Sequence, residues 1–331
     1  MAANATILGG IAGTALTGAE RDFFRAADPW GFILFGRNVD HPDQLRRLTG
    51  DLREAVGREA VITVDQEGGR VQRLRGPHWT DWPAPLDQAG AGPRAMWLRH
   101  YLIGRELRDV GIDSDCAPTL DVAQPDTHPF LRNRCLGTDP ARVAELGRAA
   151  ADGLLAAGVL PVMKHMPGHG RAVADSHHDL PVVAAAPADL EALDFAPFRA
   201  LSDLPMGMTA HIRFTALDDR PATASPRMVG LIRETIGFDG LLMTDDITMN
   251  ALSGTEARRA AAAIAAGCDL VLHCNGDIPA MEAVVAAAGG MSAEACRRAD
   301  AALAMRRTPT PFDRAALMAE WRGLVAGTAT A

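Results

Sequence analysis

Eight short apolar runs, each compatible with a β-strand, alternate along this chain with longer stretches of helical periodicity. The runs occupy residues 5–9, 31–35, 60–65, 112–116, 160–164, 205–210, 240–245 and 269–274. Helical patterns follow most of them, at 20–27, 41–56, 140–157, 187–202, 226–236, 255–266 and 279–288, with a further amphipathic stretch at 313–325. Strands that alternate with helices pair in parallel, because the helix is the crossover that returns the chain to the same end of the sheet. Eight such units predict an α/β fold, a single (β/α)8 TIM barrel occupying residues 1–331, with the first unit the one open to irregularity. A doubly wound open sheet is the competing arrangement, and periodicity alone does not separate the two. No linker-like segment divides the chain, and 48% hydrophobic against 22% charged residues supplies ample core for one large domain.

Charge and cysteine usage narrow the function classes. A net charge of −8 argues against a nucleic-acid partner. Five cysteines at irregular spacing, with no CxxC pair, indicate neither a zinc site nor a disulfide framework, so no metal and no cofactor is expected. The apolar stretch from Ala5 to Leu16 lacks the preceding positive charge of a secretion signal, since the first basic residue is Arg21. No stretch approaches the length of a membrane span. The expectation is a cytoplasmic, monomeric protein whose partner is a small molecule.

The polar residues fall at the ends of the apolar runs. The third ends in Asp65, the fifth in Lys164-His165, the sixth in His211, the seventh in Asp245-Asp246 and the eighth in His273-Cys274-Asn275. Unpaired buried charge is costly, so such groups must face one another or a polar ligand, and in a barrel all strand ends converge on one rim. Three long connections, at 76–92, 118–138 and 167–181, leave from that same rim, where barrel enzymes build their sites. Lys164 is the only lysine among 33 Lys and Arg residues, which suggests a position needing a compact point charge.

Three stretches carry the chemistry. In Val64-Asp65-Gln66-Glu67-Gly68-Gly69-Arg70-Val71-Gln72-Arg73, a double glycine permits a tight turn that could set Asp65 and Arg73 against ligand hydroxyls. In Lys164-His165-Met166-Pro167-Gly168-His169-Gly170 and the following Asp175-Ser176-His177, a carboxylate two residues from a histidine can orient its imidazole for acid/base work. In Thr244-Asp245-Asp246, neighbouring carboxylates on a strand point to opposite sides, so one can face a substrate while the other braces the loop. Parity does not say which.

Together with Gly31-Phe-Ile-Leu-Phe-Gly-Arg-Asn38, Ala117-Pro-Thr-Leu-Asp-Val122 and the run from Phe238 to Asp246, these stretches resemble glycoside hydrolase family 3, in particular the short bacterial β-N-acetylhexosaminidases of peptidoglycan recycling. The resemblance covers roughly residues 30 to 275. It implies a TIM barrel, Asp245 as nucleophile, and His177 as acid/base with Asp175 as its orienting partner. It implies Asp65, Arg73, Arg134, Lys164 and His165 as the sugar-binding set. The implied substrate is a β-linked terminal N-acetylglucosamine on a muropeptide fragment, removed with retention through a covalent glycosyl-enzyme. The loop Leu131-Arg132-Asn133-Arg134-Cys135-Leu136 departs from the family pattern, which leaves Arg132 as a rival to Arg134, and Met166 stands where Phe is usual.

Other readings compete. A histidine base would admit phosphate as acceptor, making the enzyme a phosphorylase. A metal-dependent amidohydrolase could draw on Lys164, His165, His211 and Asp245, but the first run lacks the expected His-x-His and no HExxH spacing occurs. Gly9-Gly10-Ile11-Ala12-Gly13 does not have the glycine spacing of a dinucleotide fingerprint. A sugar-binding protein without catalysis would have no use for Asp245, Asp175 and His177 together.

Overall fold

The structure, a computed structural model, describes residues 2–275 and 277–327. Its strands are β1 (Asn4–Leu8), β2 (Pro29–Leu34), β3 (Val61–Val64), β4 (Ser114–Asp115), β5 (Leu160–Met166), β6 (Met206–Thr209), β7 (Leu241–Met243) and β8 (Val271–His273). They pair in parallel in sequential order from β1 to β7, with β8 on the other side of β1. A parallel bridge between Met243 and Leu270 joins β7 to the start of β8, and Thr244 N–H donates to the Leu270 carbonyl at 3.0 Å, so the ring closes. The barrel, not the open sheet, is therefore the outcome. The first unit departs from regularity only by a register shift between Asn4 and Ile7 where β1 meets β2.

The helices are α1 (Gly18–Ala27), α2 (Pro42–Val56), α3 (Gly92–Arg108), α4 (Pro140–Ala156), α5 (Ala196–Ala200), α6 (Pro226–Glu234), α7 (Glu256–Ala266), α8 (Ile278–Ala288), α9 (Ala293–Ala304) and α10 (Arg314–Ala326). Several begin on the cap that their sequence offers. Thr17 and Glu20 form a reciprocal capping box on α1, and Asp139, Ser225 and Thr255 each accept from the third helical N–H of α4, α6 and α7. One buried cluster draws Ile7, Ile33, Val61, Val162, Met208, Met243 and Leu272 from the strands; Phe24, Leu48 and Leu102 belong to another that packs the helices on the strands.

Two helices escape the sequence pattern. Helix α3 buries most of its circumference, and the buried side includes Arg99, His100 and Glu106, so charged residues fall on both its core face and its solvent stripe of Arg94, Arg105 and Arg108 and blur the sequence contrast. Helix α9 is short and alanine-rich. The helix expected over 187–202 is broken instead. A wide π turn at Leu190–Asp194 precedes α5, and Pro197 within it has no N–H to donate and crowds the preceding turn. Among the described residues no helix is long and apolar enough to cross a membrane.

Candidate active site

At the C-terminal rim of the barrel the strand ends surround a cavity of about 320 Å³. Its walls include Phe35 after β2, Asp65 after β3, Lys164 and His165 in the last turn of β5, Asp245 and Asp246 after β7, and Cys274 and Asn275 after β8. Arg73 joins them from the loop after β3, and Phe130, Arg134, His169, Ser176 and His177 from the long connections.

One wall is a charge lattice. Lys164 Nζ lies 2.9 Å from Asp65 Oδ1 and 2.6 Å from Glu67 Oε1. Arg73 donates to Asp65 Oδ2 at 2.9 Å, and Arg134 grips Glu67 with two hydrogen bonds of 2.9 and 2.8 Å. Burial by itself would raise both carboxyls. The neighbouring Lys164 and Arg73 outweigh it and hold Asp65 well below the usual carboxylate range, while Arg134 and Lys164 bring Glu67 to about 2. Burial likewise works against the charged form of Lys164, and the two carboxylates overcome it and raise its pKa. Both acids, Lys164 and Arg134 are thus charged at neutral pH, and with Arg73 they form a fixed array of donors and acceptors suited to hydroxyl groups. Arg132 takes no part; it is exposed and donates to the Gln124 and Pro125 carbonyls. Of the two arginines, Arg134 is the one that lines the cavity.

A second carboxylate, Asp121, underlies the neighbouring wall. It is fully buried, meets His165 Nδ1 at 2.6 Å, and accepts the His165 and His169 backbone N–H groups at 3.3 and 2.7 Å. With Nδ1 carrying the proton toward Asp121, His165 Nε2 is left facing Arg134 Nη2 at 3.4 Å.

The two adjacent aspartates divide as their strand parity allows. Asp246 accepts from Thr248 N–H at 3.0 Å, the Thr248 hydroxyl at 2.7 Å and Cys274 N–H at 3.1 Å, so its carboxylate braces the β7 and β8 loops. Among the described residues Asp245 accepts only the Asp246 N–H, at 2.8 Å, and it lines the cavity. Burial raises its pKa, but His211 and His165 prevail and leave it lowered, hence ionised. His211 is held by the Thr223 hydroxyl at 2.7 Å and the Asp246 carbonyl at 3.0 Å, so both its ring nitrogens are engaged in positioning this peptide.

His177 lines the cavity too; its Nδ1 sits 2.7 Å from Asp175 Oδ1, which also accepts the His177 N–H at 3.0 Å. The pair belongs to an exposed loop, with 58% of the His177 side chain accessible, and the ring rests edge-on against Phe130. Backbone bonds from Asn250 and Ala251 to the His177 and Ser176 carbonyls tie this loop to the one that follows Asp245. All eight sequence-identified residues thus fall at one site. Asp175 alone is absent from the cavity wall, standing behind His177.

Residues 26–302 match the glycosyl hydrolase family 3 N-terminal domain. The chain belongs to glycosyl hydrolase family 3. A β-hexosaminidase of Bordetella avium is 40% identical over 277 residues, covering 80% of this chain and 79% of that protein. One of Methylococcus capsulatus is 37% identical over 326 residues, covering 95% and 96%. The crystal structure of NagZ from Neisseria gonorrhoeae with N-trifluoroacetyl-D-glucosamine superposes with a TM-score of 0.85 at 29% identity, covering 99% of each chain.

This family 3 membership makes the protein a glycoside hydrolase and displaces the amidohydrolase reading. The geometry agrees, because Lys164 is already held by two carboxylates and His211 has no free ring nitrogen. Three polar groups of the site went unassigned in the sequence: Glu67, Asp121 and His169. Each lies inside a stretch that was singled out, and the signal for Asp121 was a lone carboxylate within the apolar run Ala117–Val122.

Proposed function

We propose that the protein is a retaining β-N-acetylglucosaminidase that removes a terminal β-linked N-acetylglucosamine from muropeptide fragments in the cytoplasm. Residues 1–331 act in this reading as a single catalytic domain. The observation that carries it is the presence, in the wall of one cavity, of an ionised carboxylate with a single hydrogen bond among the described residues (Asp245) and an imidazole fixed by a carboxylate (His177 on Asp175). Asp65, Arg73, Arg134, Lys164 and His165 hold the sugar hydroxyls. The gonococcal relative, crystallised with an N-acyl glucosamine, supports that ring as the occupant.

Double displacement then proceeds in two steps. Asp245 attacks the anomeric carbon while protonated His177 donates to the departing glycosidic oxygen, leaving a glycosyl ester on Asp245. Neutral His177 next takes a proton from water, whose oxygen attacks the anomeric carbon and frees Asp245. Asp175 keeps the imidazole on one tautomer and in one orientation throughout. Because the loop is exposed, His177 takes its working position as substrate fills the cavity. Phosphate could replace water in the second step, since a neutral imidazole repels it less than a carboxylate would.

Release of nitrophenol from 4-nitrophenyl β-N-acetylglucosaminide, by wild type and Asp245→Ala, with and without phosphate, tests this. Turnover by wild type that disappears in the variant is expected. An inert, folded wild type would sink the reading, and turnover dependent on phosphate would make the enzyme a phosphorylase.

A further inference from the structure

His169 is the one buried histidine lining the cavity, among the described residues, that the mechanism leaves idle. The residue is 2% accessible and lines the cavity wall, yet among the described residues neither ring nitrogen has a hydrogen-bond partner. A buried polar group left unpaired is costly, so such a group in a cavity wall calls for a ligand partner.

Its placement is enforced locally. The His169 N–H is anchored on Asp121 Oδ1 at 2.7 Å, beside the N–H of His165 on the same oxygen. Gly168, at φ +137°, is in a conformation that other residues resist, and a Cβ at Gly170 would collide with the Val122 carbonyl. The Pro-Gly-His-Gly turn therefore has little freedom except to present this imidazole. Its ring lies 5.8 Å from that of His165 and meets Phe130 edge-on at 6.3 Å.

Burial lowers the imidazole to about 4, against the opposing pull of Asp121, so the ring is neutral in the working pH range. A neutral imidazole offers one N–H and one lone pair. The lattice around Lys164 is charged and already paired, whereas His169 is uncharged and wholly unpaired. Such a group suits a hydroxyl, which can donate or accept, and does not suit a charged substituent.

We propose that His169 is a specificity-determining substrate contact that hydrogen-bonds one hydroxyl of the sugar ring, independently of the Asp65, Arg73 and Lys164 lattice. The assignment rests on the reading of the cavity as a sugar site.

The test is kcat/KM of wild type and His169→Phe on 4-nitrophenyl β-N-acetylglucosaminide and on its 3-deoxy, 4-deoxy and 6-deoxy analogues. Phe keeps the ring volume and removes both polar atoms. The expected loss on the parent is about 10–100-fold, as for a hydroxyl left buried without its partner. The loss should shrink to within about threefold on the one analogue that lacks the contacted hydroxyl, and persist on the other two. His169→Gln, which restores a donor and an acceptor, should recover part of it, and it serves on the same panel if the Phe variant does not fold. A loss equal on all four substrates, or no loss, overturns the contact. A wild type inert on every substrate would instead overturn the glycosidase reading on which the contact rests.

Discussion

Lys164→Arg keeps the charge at the centre of the site and is expected to fail all the same. The Nζ is wedged between two carboxylates from different residues, at 2.9 Å from Asp65 and 2.6 Å from Glu67, with 2% of the lysine side chain accessible. A guanidinium puts a planar group of three nitrogens where one now stands. Overpacking of this kind costs about 1–3 kcal/mol, and a buried N–H left without a partner costs a further ~1–3 kcal/mol. At the midpoints the sum is roughly 4 kcal/mol, or a fall in Tm of about 6 °C for a domain of 331 residues. Asp65 would also be displaced, and a shift of about 1 Å in a positioning group can cost on the order of 10²-fold in rate. Lys164→Met is the comparator. It removes the charge, exposes Asp65 and Glu67 to their own repulsion, and should cost about 3–5 kcal/mol as a broken buried pair. Thermal melts and kcat/KM on the nitrophenyl glycoside measure both variants. A Lys164→Arg enzyme within about 2 °C and threefold of wild type would refute the argument that this position selects a compact cation, and the chain's single lysine would then be an accident of composition.

Three other outcomes follow from the same geometry. His177→Ala should slow substrates with poor leaving groups far more than activated aryl glycosides in the first step, and a loss equal across leaving groups would remove the acid role from His177. Arg134→Ala should destabilise by about 3–5 kcal/mol, because Glu67 would lose two hydrogen bonds from its bidentate partner, whereas Arg132→Ala should leave kcat/KM within about twofold; a reversal in urea melts and kinetics would return the sugar contact to Arg132. Asp115 is fully buried with Oδ2 unpaired, and burial raises it to about 7, so folded protein retains a proton that the unfolded chain releases near pH 4. Its contribution is present below about pH 4 and is lost as pH rises through about 7, so Asp115→Asn should gain on wild type, by on the order of 2–4 kcal/mol, between pH 4.5 and 8. Urea denaturation of both proteins at the two pH values checks this, and a difference independent of pH would show Asp115 to be ionised throughout.

The parts of this protein that could be read from sequence are those governed by local rules. Apolar runs ending in ionisable groups can be recognised one strand at a time, and the cost of burying charge then requires that Asp65, Lys164, His165 and Asp245 meet. Helix α3 could not be read this way, because its buried face carries Arg99, His100 and Glu106 and so differs too little in sequence from its solvent face. Nor could the role of Glu67 be read, since its partner Arg134 lies 67 residues away and only the closed barrel brings them together. The division of Asp245 from Asp246 is of the same kind. Strand parity requires them to differ, but only the neighbouring Thr248 and the β8 amide decide which one is braced. That last case gives a physical criterion for telling reacting groups from supporting ones within a crowded polar site. Glu67, Asp121 and Asp246 each accept three or more close contacts and are fixed, whereas Asp245 accepts one and His177 Nε2 none among the described contacts. A group that must form and break bonds needs free valence, and Asp245 and His177 keep it, as does His169 for its hydroxyl contact.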